Sequence, residues 1–327
     1  MSRRALLAAA PVLAVPLGGG IAAAAESDFS GFLAGVRRDA FAQGIRQATV
    51  DIAFRYIEYL PHVIELDRRQ PEHKMTFAEY LDKVVTQQRL DDARRHLVDN
   101  WGLLQQVWQR FRVQPRFVVA LWGVESDFGR TMGSYSVPAA LATLAYEGRR
   151  GAMFRAELIA ALKILDQGNI RADNMMGSWA GAMGQCQFMP TTFLSYAVDF
   201  DGDGRRDIWN DRSDVLGSIS NYIARLGWHG GEGWGREVVL SDNFDTRLAG
   251  LESRRPTAEW IRLGVRPART AFTGREPAAS LVLPDGAGGT ALLVYDNFRV
   301  IKRWNNSNYF AAAVGYIADS IDHDSFG

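Results

Sequence analysis

Between Ser27 and about Arg112 the apolar residues recur at intervals of three and four, as in Phe77, Tyr80, Leu81 and Val84, and again in Leu97, Trp101, Leu104, Val107, Trp108 and Phe111. Such a pattern gives each helix one face to bury against another, so residues 26–112 are expected to form an all-helical front region. Pro115 opens a further helix, with Val118, Leu121, Val124 and Phe128 as its inward stripe and Gly129 placed to end it. Helical spacing continues through 139–146, 153–165, 191–196 and 215–226. After Trp228 the texture changes to Gly-rich sequence and short apolar runs at 238–240, 280–283 and 292–295, which predict a small β-rich module at 230–296. Residues 309–321 return to helical spacing, so 297–327 are expected to rejoin the helical body. The fold class is therefore mainly α, of α+β type.

The charge balance narrows the partners. Lys and Arg number 37 against 37 Asp and Glu, a formal net charge of zero that falls to −2 if Arg3 and Arg4 are removed. Nothing in that balance would release counterions from a phosphate backbone, so no nucleic-acid partner is expected. Residues 1–25 read as a cleaved export signal: Arg3 and Arg4 precede an uncharged stretch that ends in four alanines before Glu26. Pro11, Pro16 and three consecutive glycines interrupt the run and argue against a permanent anchor. The two arginines leave both the general and the twin-arginine export routes open. No lipobox cysteine is present, so the expected product is a periplasmic protein and not a lipoprotein. The single cysteine, Cys186, has no adjacent basic residue to lower its pKa and reads as a small buried side chain. His229 reads as structural.

Glu125 lies four residues after Leu121 and seven after Val118, close to the buried stripe of its helix and beside Trp122. A carboxyl there loses water, which raises its pKa toward the value a general acid needs near neutral pH. Taken alone, a helix-end Glu satisfied by an Arg would explain the same residue. Asp127, two residues on, turns to the far side of the helix, so these two acids do not make a two-carboxylate glycosidase.

The run Gly123-Val124-Glu125-Ser126-Asp127-Phe128-Gly129-Arg130 resembles the signature of the membrane-bound lytic transglycosylase B family, glycoside hydrolase family 103. Further matching stretches follow in order: 141–146 with Arg149 and Arg150, 177–190, the Asp loop at 199–207, Asn221-Tyr222 with Gly227-Trp228, and 304–309. Together they run from about residue 30 to the C-terminus. The resemblance implies a lysozyme-like catalytic core at 113–229 and one essential glutamate, Glu125, which cleaves the β-1,4 bond between N-acetylmuramic acid and N-acetylglucosamine. It also implies a 1,6-anhydromuramoyl product, no catalytic cofactor, and peptidoglycan strands with their stem peptides as partners of a monomeric enzyme. Two other functions stay open: a lysozyme-type hydrolase using water, and a peptidoglycan-binding protein without activity.

The resemblance also assigns supporting residues. Ser178 and Gln187 correspond to cleft positions, with Ser178 placed to bond the N-acetyl group. Asn305 and Tyr309 match further active-site positions, and Trp304 stands where the family has an aromatic residue. One residue fewer separates Asn305 from Tyr309 than in the family pattern. Arg149 and Arg150 align with a pair that faces the stem peptides, whose carboxylates suit guanidinium forks.

Asp199, Asp201 and Asp203 fall at positions 1, 3 and 5 of an EF-hand-like loop, with Gly204 at position 6 and the Arg205 carbonyl at position 7. The spacing suits a structural calcium ion; sodium, or a solvated acidic turn, stays open. Asn210 replaces the usual Glu at position 12. In the family a later Asp closes a lengthened loop, and Asp214 fits that place, giving a loop of 199–214.

Overall fold

The structure, a computed structural model, describes residues 19–68, 75–147 and 149–322. The expected front region is six helices: α1 (Gly19–Ala42), α2 (Gln47–Phe54), α3 (Pro61–Arg68), α4 (Phe77–Val84), α5 (Gln87–Asp99) and α6 (Trp101–Phe111). Their starts are written locally. Thr76 and Glu79 form a reciprocal capping box on α4, and Thr86 caps α5. Most of the expected leader, residues 1–18, lies outside the described residues, and α1 runs across the expected junction after Ala25. Among the described residues no helix is long and apolar enough to cross a membrane.

Helix α7 (Pro115–Ser126) is the axis of the body. Phe117 to Gly123 are all buried, so α7 is apolar on every side and needs neighbours all round. It finds them in α5, α6, α11 (Arg212–Arg225) and α14 (Asn308–Ser320). Helices α8 (Val137–Tyr146) and α9 (Gly151–Asp166) pair beside it, and α10 (Pro190–Tyr196) packs on α9. A two-stranded ribbon, β1 (Tyr135–Ser136) with β2 (Met176–Gly177), joins the start of α8 to the Gly-rich segment that follows α9. One continuous apolar cluster runs from Phe29 to Ile321, so the front helices and the region after Pro115 share a core.

The β-rich module is a four-stranded antiparallel sheet in the order β4-β3-β6-β5, built from β3 (Gly235–Leu240), β4 (Val265–Pro267), β5 (Ser280–Val282) and β6 (Ala291–Val294). Strand β4 and helix α12 (Thr257–Arg262) have no counterpart in the sequence reading; Pro267 sits in an edge strand, where its missing N–H costs no ladder bond. The period of two divides the sheet between two cores. Val238, Leu281 and Leu293 face Trp260 of α12 in a small local cluster, while Val282, Leu292 and Val294 join the main core. Helix α13 (Asp296–Trp304) then leads back to α14.

Trp234, just before β3, fastens this module to the body. It is buried, and its indole N–H donates to Asp319 Oδ2 at 2.8 Å. Its ring lies where a Cβ on Gly315 of α14 would stand, 2.2 Å from the nearest ring atom. Gly315→Ala should therefore destabilise the fold by about 2 kcal/mol, because overpacking outweighs the roughly 1 kcal/mol that alanine gains over glycine in a helix. Thermal or urea unfolding reads this; an equal or higher stability would show that the indole can move aside.

Candidate active site

Helix α7 ends two residues earlier than its apolar stripe predicts. Asp127 and Phe128 both adopt left-handed backbone conformations, with φ of 51° and 59°, so the chain leaves α7 directly after Ser126. Phe128 still reaches the core, because its ring folds back over Gly123, where any Cβ would stand 2.6 Å from it. Asp127 turns away to Arg130, at 2.8 Å, and Arg89, at 3.6 Å. Glu125 is thus left in the last turn without Asp127 as a partner, as the helical geometry requires.

The Glu125 carboxyl is hemmed in by protein while keeping a partial opening to solvent. Burial pushes its pKa up to about 7, against a smaller downward pull from one hydrogen bond, Trp304 Nε1–H to Glu125 Oε1 at 2.7 Å. The Trp304 indole is itself held by aromatic neighbours, with ring centroids 4.9 Å from Tyr222 and 5.4 Å from Phe188. Trp304, expected among the substrate-binding residues, is also the partner that fixes the acid.

The segment between β2 and α10 is pinned to α7 by Gln185, which sequence reading passed over. Its Oε1 accepts from Trp122 Nε1 at 2.9 Å, its Nε2 donates to the Trp209 carbonyl at 2.8 Å, and its own carbonyl accepts from Ser126 Oγ at 2.8 Å. Ser178 and Gln187 lie in this segment. Ser178 Oγ accepts the amide N–H groups of Ala182 (3.0 Å) and Ala180 (3.3 Å), which shapes the turn. Gln187, at φ 49°, donates its amide to the Gly184 and Met132 carbonyls. Cys186 is fully buried, and the nearby Glu125 charge adds to the burial that raises its thiol pKa, so it is no nucleophile.

Tyr80 of α4 is a residue the sequence gave no reason to choose. Burial raises its pKa, and the Glu125 charge adds to that, so its phenol feels the acid's charge. Its ring lies 5.6 Å from that of Tyr309. The Tyr309 hydroxyl bonds Asp285, whose carboxylate also accepts the amide N–H of Phe77 at the start of α4, at 2.9 and 3.0 Å. Asp285, in the loop after β5, thus ties the β-module to both flanks of the site. Asn305 is exposed immediately after Trp304. Arg149 and Arg150, the pair expected to face the stem peptides, both bond the Asp67 carboxylate of α3, at 3.0 and 2.6 Å, while their side chains stay 65% and 42% exposed. Together they line a cavity of about 340 Å³ with Arg68 and Glu147. His229 is exposed at its ring, while its backbone is held by Asn297.

Carboxylate oxygens of Asp199, Asp201 and Asp203 lie within 4.8 Å of one another, as the loop spacing predicts. Asp214, expected as a further ligand, holds the backbone of the loop. It is buried, and its carboxylate accepts the amide N–H of Phe200 at 2.7 Å and of Asp207 at 2.6 Å. Dehydration pushes its pKa up to about 6. It closes the loop through the backbone and stands outside the three-carboxylate cluster. Arg205 donates its amide N–H to Asp203 Oδ1 at 2.8 Å.

The family model of the transglycosylase SLT domain matches residues 28–319. The chain belongs to that family. It is 34% identical over 221 residues to membrane-bound lytic murein transglycosylase B of Escherichia coli, a match covering 67% of this chain and 60% of that protein's length. Among solved structures it resembles SltB3 of Pseudomonas aeruginosa in complex with NAG-anhNAM-pentapeptide, with 45% identity and a TM-score of 0.86 over 90% of this chain and 79% of the other. It also resembles the Escherichia coli lytic transglycosylase SLT35 in complex with calcium, with 29% identity and a TM-score of 0.74 over 90% and 92% of the two chains. The lysozyme-like class expected for this transglycosylase-family chain agrees with these matches.

The raised pKa of Glu125 has a consequence for stability. Its folded value, about 7, exceeds the ordinary 4.5, so the folded state holds a proton that the unfolded state releases between those pH values. The contribution of this group to stability is therefore fully present below pH 4.5 and is lost as pH rises through 7, by up to about 3 kcal/mol. Glu125→Gln should match the wild type in melting temperature near pH 4 and exceed it increasingly up to pH 8. Parallel melting curves across that range would contradict the dry environment assigned to this carboxyl.

Proposed function

We propose that this chain is an exported, periplasmic lytic transglycosylase that cleaves the MurNAc-GlcNAc bond of peptidoglycan with Glu125 as its single acid and base. The observation that carries the reading is the dehydrated Glu125 carboxyl, with a pKa near neutrality and one hydrogen bond that fixes its direction. Such a group is protonated often enough to give a proton and basic enough to recover one. Protonated Glu125 donates to the glycosidic oxygen as the bond from C1 to that oxygen breaks. The substrate's own N-acetyl group shares the positive charge that develops at C1. The carboxylate then takes the proton of the C6 hydroxyl while O6 bonds to C1, which restores the acid and leaves a 1,6-anhydro ring. No water is consumed. An internal nucleophile has a high effective concentration, so the protein's task is orientation. Ser178, Gln187, Asn305 and Tyr309 are assigned to that task, Tyr80 joins them, and Trp304 orients the acid. Arg149 and Arg150, held by Asp67, offer their remaining N–H groups to stem-peptide carboxylates. The anhydromuramoyl ligand named for SltB3 supports this product chemistry.

Mass spectrometry of muropeptides released from sacculi should show anhydro ends, and Glu125→Gln should reduce their release by at least about a thousandfold, the scale of losing an acid-base group that acts in two successive steps. Products heavier by one water would establish the hydrolase instead. Wild-type turnover by the variant would remove Glu125 from the chemistry.

The Asp199–Asp201–Asp203 cluster fits a hard cation with oxygen ligands, and we assign it a structural calcium ion held by those carboxylates and the Arg205 carbonyl. The ion would offset the repulsion among three adjacent charges and brace the entry to α11, far from any proton transfer. The calcium complex of SLT35 supports the choice of metal. Chelation should lower the melting temperature, calcium should restore it, and Asp201→Asn should abolish the difference. Melting curves indifferent to chelator would remove the ion.

A further inference from the structure

Helix α6 carries a second face beside the one that packs it on the body. Leu104 and Val107 are buried and hold α6 against α7 and α11. Trp101, Gln105 and Trp108, at i, i+4 and i+7, share a neighbouring face. With Leu97 of α5 and Arg116 of α7 they line a cavity of about 400 Å³, within the range of small-ligand sites, which Asp322 closes from the far side. Trp101 keeps 36% of its surface exposed. The Gln105 amide and the Trp108 indole N–H make no hydrogen bond among the described residues.

The lining selects a class of ligand. A pyranose ring has a C–H face that is apolar and a rim of hydroxyl and acetamido groups that both give and accept hydrogen bonds. Flat indoles match the face; a primary amide, which donates and accepts at once, matches the rim. The single cation, Arg116, is already matched by Asp322 and by Asp319, at 3.6 Å, so the cavity offers no free charge to a carboxylate. An uncharged sugar fits it better than a stem peptide. The cavity opens at the N-terminal end of α7 and Glu125 stands at the other, ten residues on, or about 15 Å at 1.5 Å per residue.

Resting on the peptidoglycan reading above, we propose that this groove is a second glycan-binding site, which takes uncharged N-acetylhexosamine residues of a murein strand while the Glu125 site cuts. A site at that separation adds a second foothold on the polymer and nothing on a fragment too short to reach both.

The test separates foothold from chemistry. Full-length Glu125→Gln is co-sedimented with purified sacculi, alone and combined with Trp108→Ala or with Gln105→Ala, the latter leaving the indole packing intact. Retention should fall by about fivefold or more in both combinations, with N-acetylglucosamine oligomers competing only against the unmodified groove. In the wild-type background the same substitutions should slow release from sacculi and leave turnover of a soluble disaccharide-peptide dimer within about twofold. Unchanged retention in both combinations overturns the proposal, as does an equal loss on polymer and dimer. Failure of the catalytic reading would show separately, as an active Glu125→Gln enzyme, and the sedimentation result would still decide the groove.

Discussion

Removal of water from one carboxyl organises this molecule. Glu125 could not be dry on a surface helix; it is dry because α7 is apolar on every side and must be enclosed by α5, α6, α11 and α14. Enclosure raises the cost of the charged form, and the carbonyl ends of the last turn of α7 push the same way, since the C-terminus of a helix disfavours an anion. A single Trp304 N–H opposes them. The balance leaves the carboxyl near neutrality, where both protonation states are reachable.

That balance draws on distant parts of the chain. Trp304 stands 179 residues from Glu125, and its indole is fixed by Tyr222 and Phe188. Tyr80 comes from the front helices, and Asp285 of the β-module holds Tyr309 and the start of α4 together. The module therefore adds more than bulk. Its strands β5 and β6 are buried on both faces, and Trp234 locks the module against α14, so the loop bearing Asp285 has a firm base.

The parts legible in the sequence are those set by neighbours along the chain. Helical periods, the Pro115 start, caps such as Thr76 and the Asp199 to Asp203 spacing are local, and the structure follows them. The placement of Glu125 near a buried stripe was also local. What was not legible depends on who meets whom. The Trp304 bond, the Tyr80 phenol, the capture of Arg149 and Arg150 by Asp67, and the strand β4 all need partners from far away in sequence. Even the end of α7 moved, because a left-handed turn at Asp127 and Phe128 brings Phe128 home by folding back where a longer helix was expected.

Asp214 shows how one carboxylate can hold the backbone of a motif. Its position at the start of α11 suits a ligand, yet the same position faces two amides that have no other partner, those of Phe200 and Asp207. Two N–H bonds take only about half of a carboxylate's lone-pair sites, and Asp199, which also accepts two amides, those of Gly202 and Gly204, serves the cluster as well as the backbone. The division of labour follows from geometry. The exposed acids, Asp201 and Asp203, keep their oxygens turned to the loop interior and its solvent, while the buried one fixes the backbone that presents them. The backbone that presents these acids leads directly into α11, whose other face packs on α7, so the loop is joined to the core by the helix that follows it.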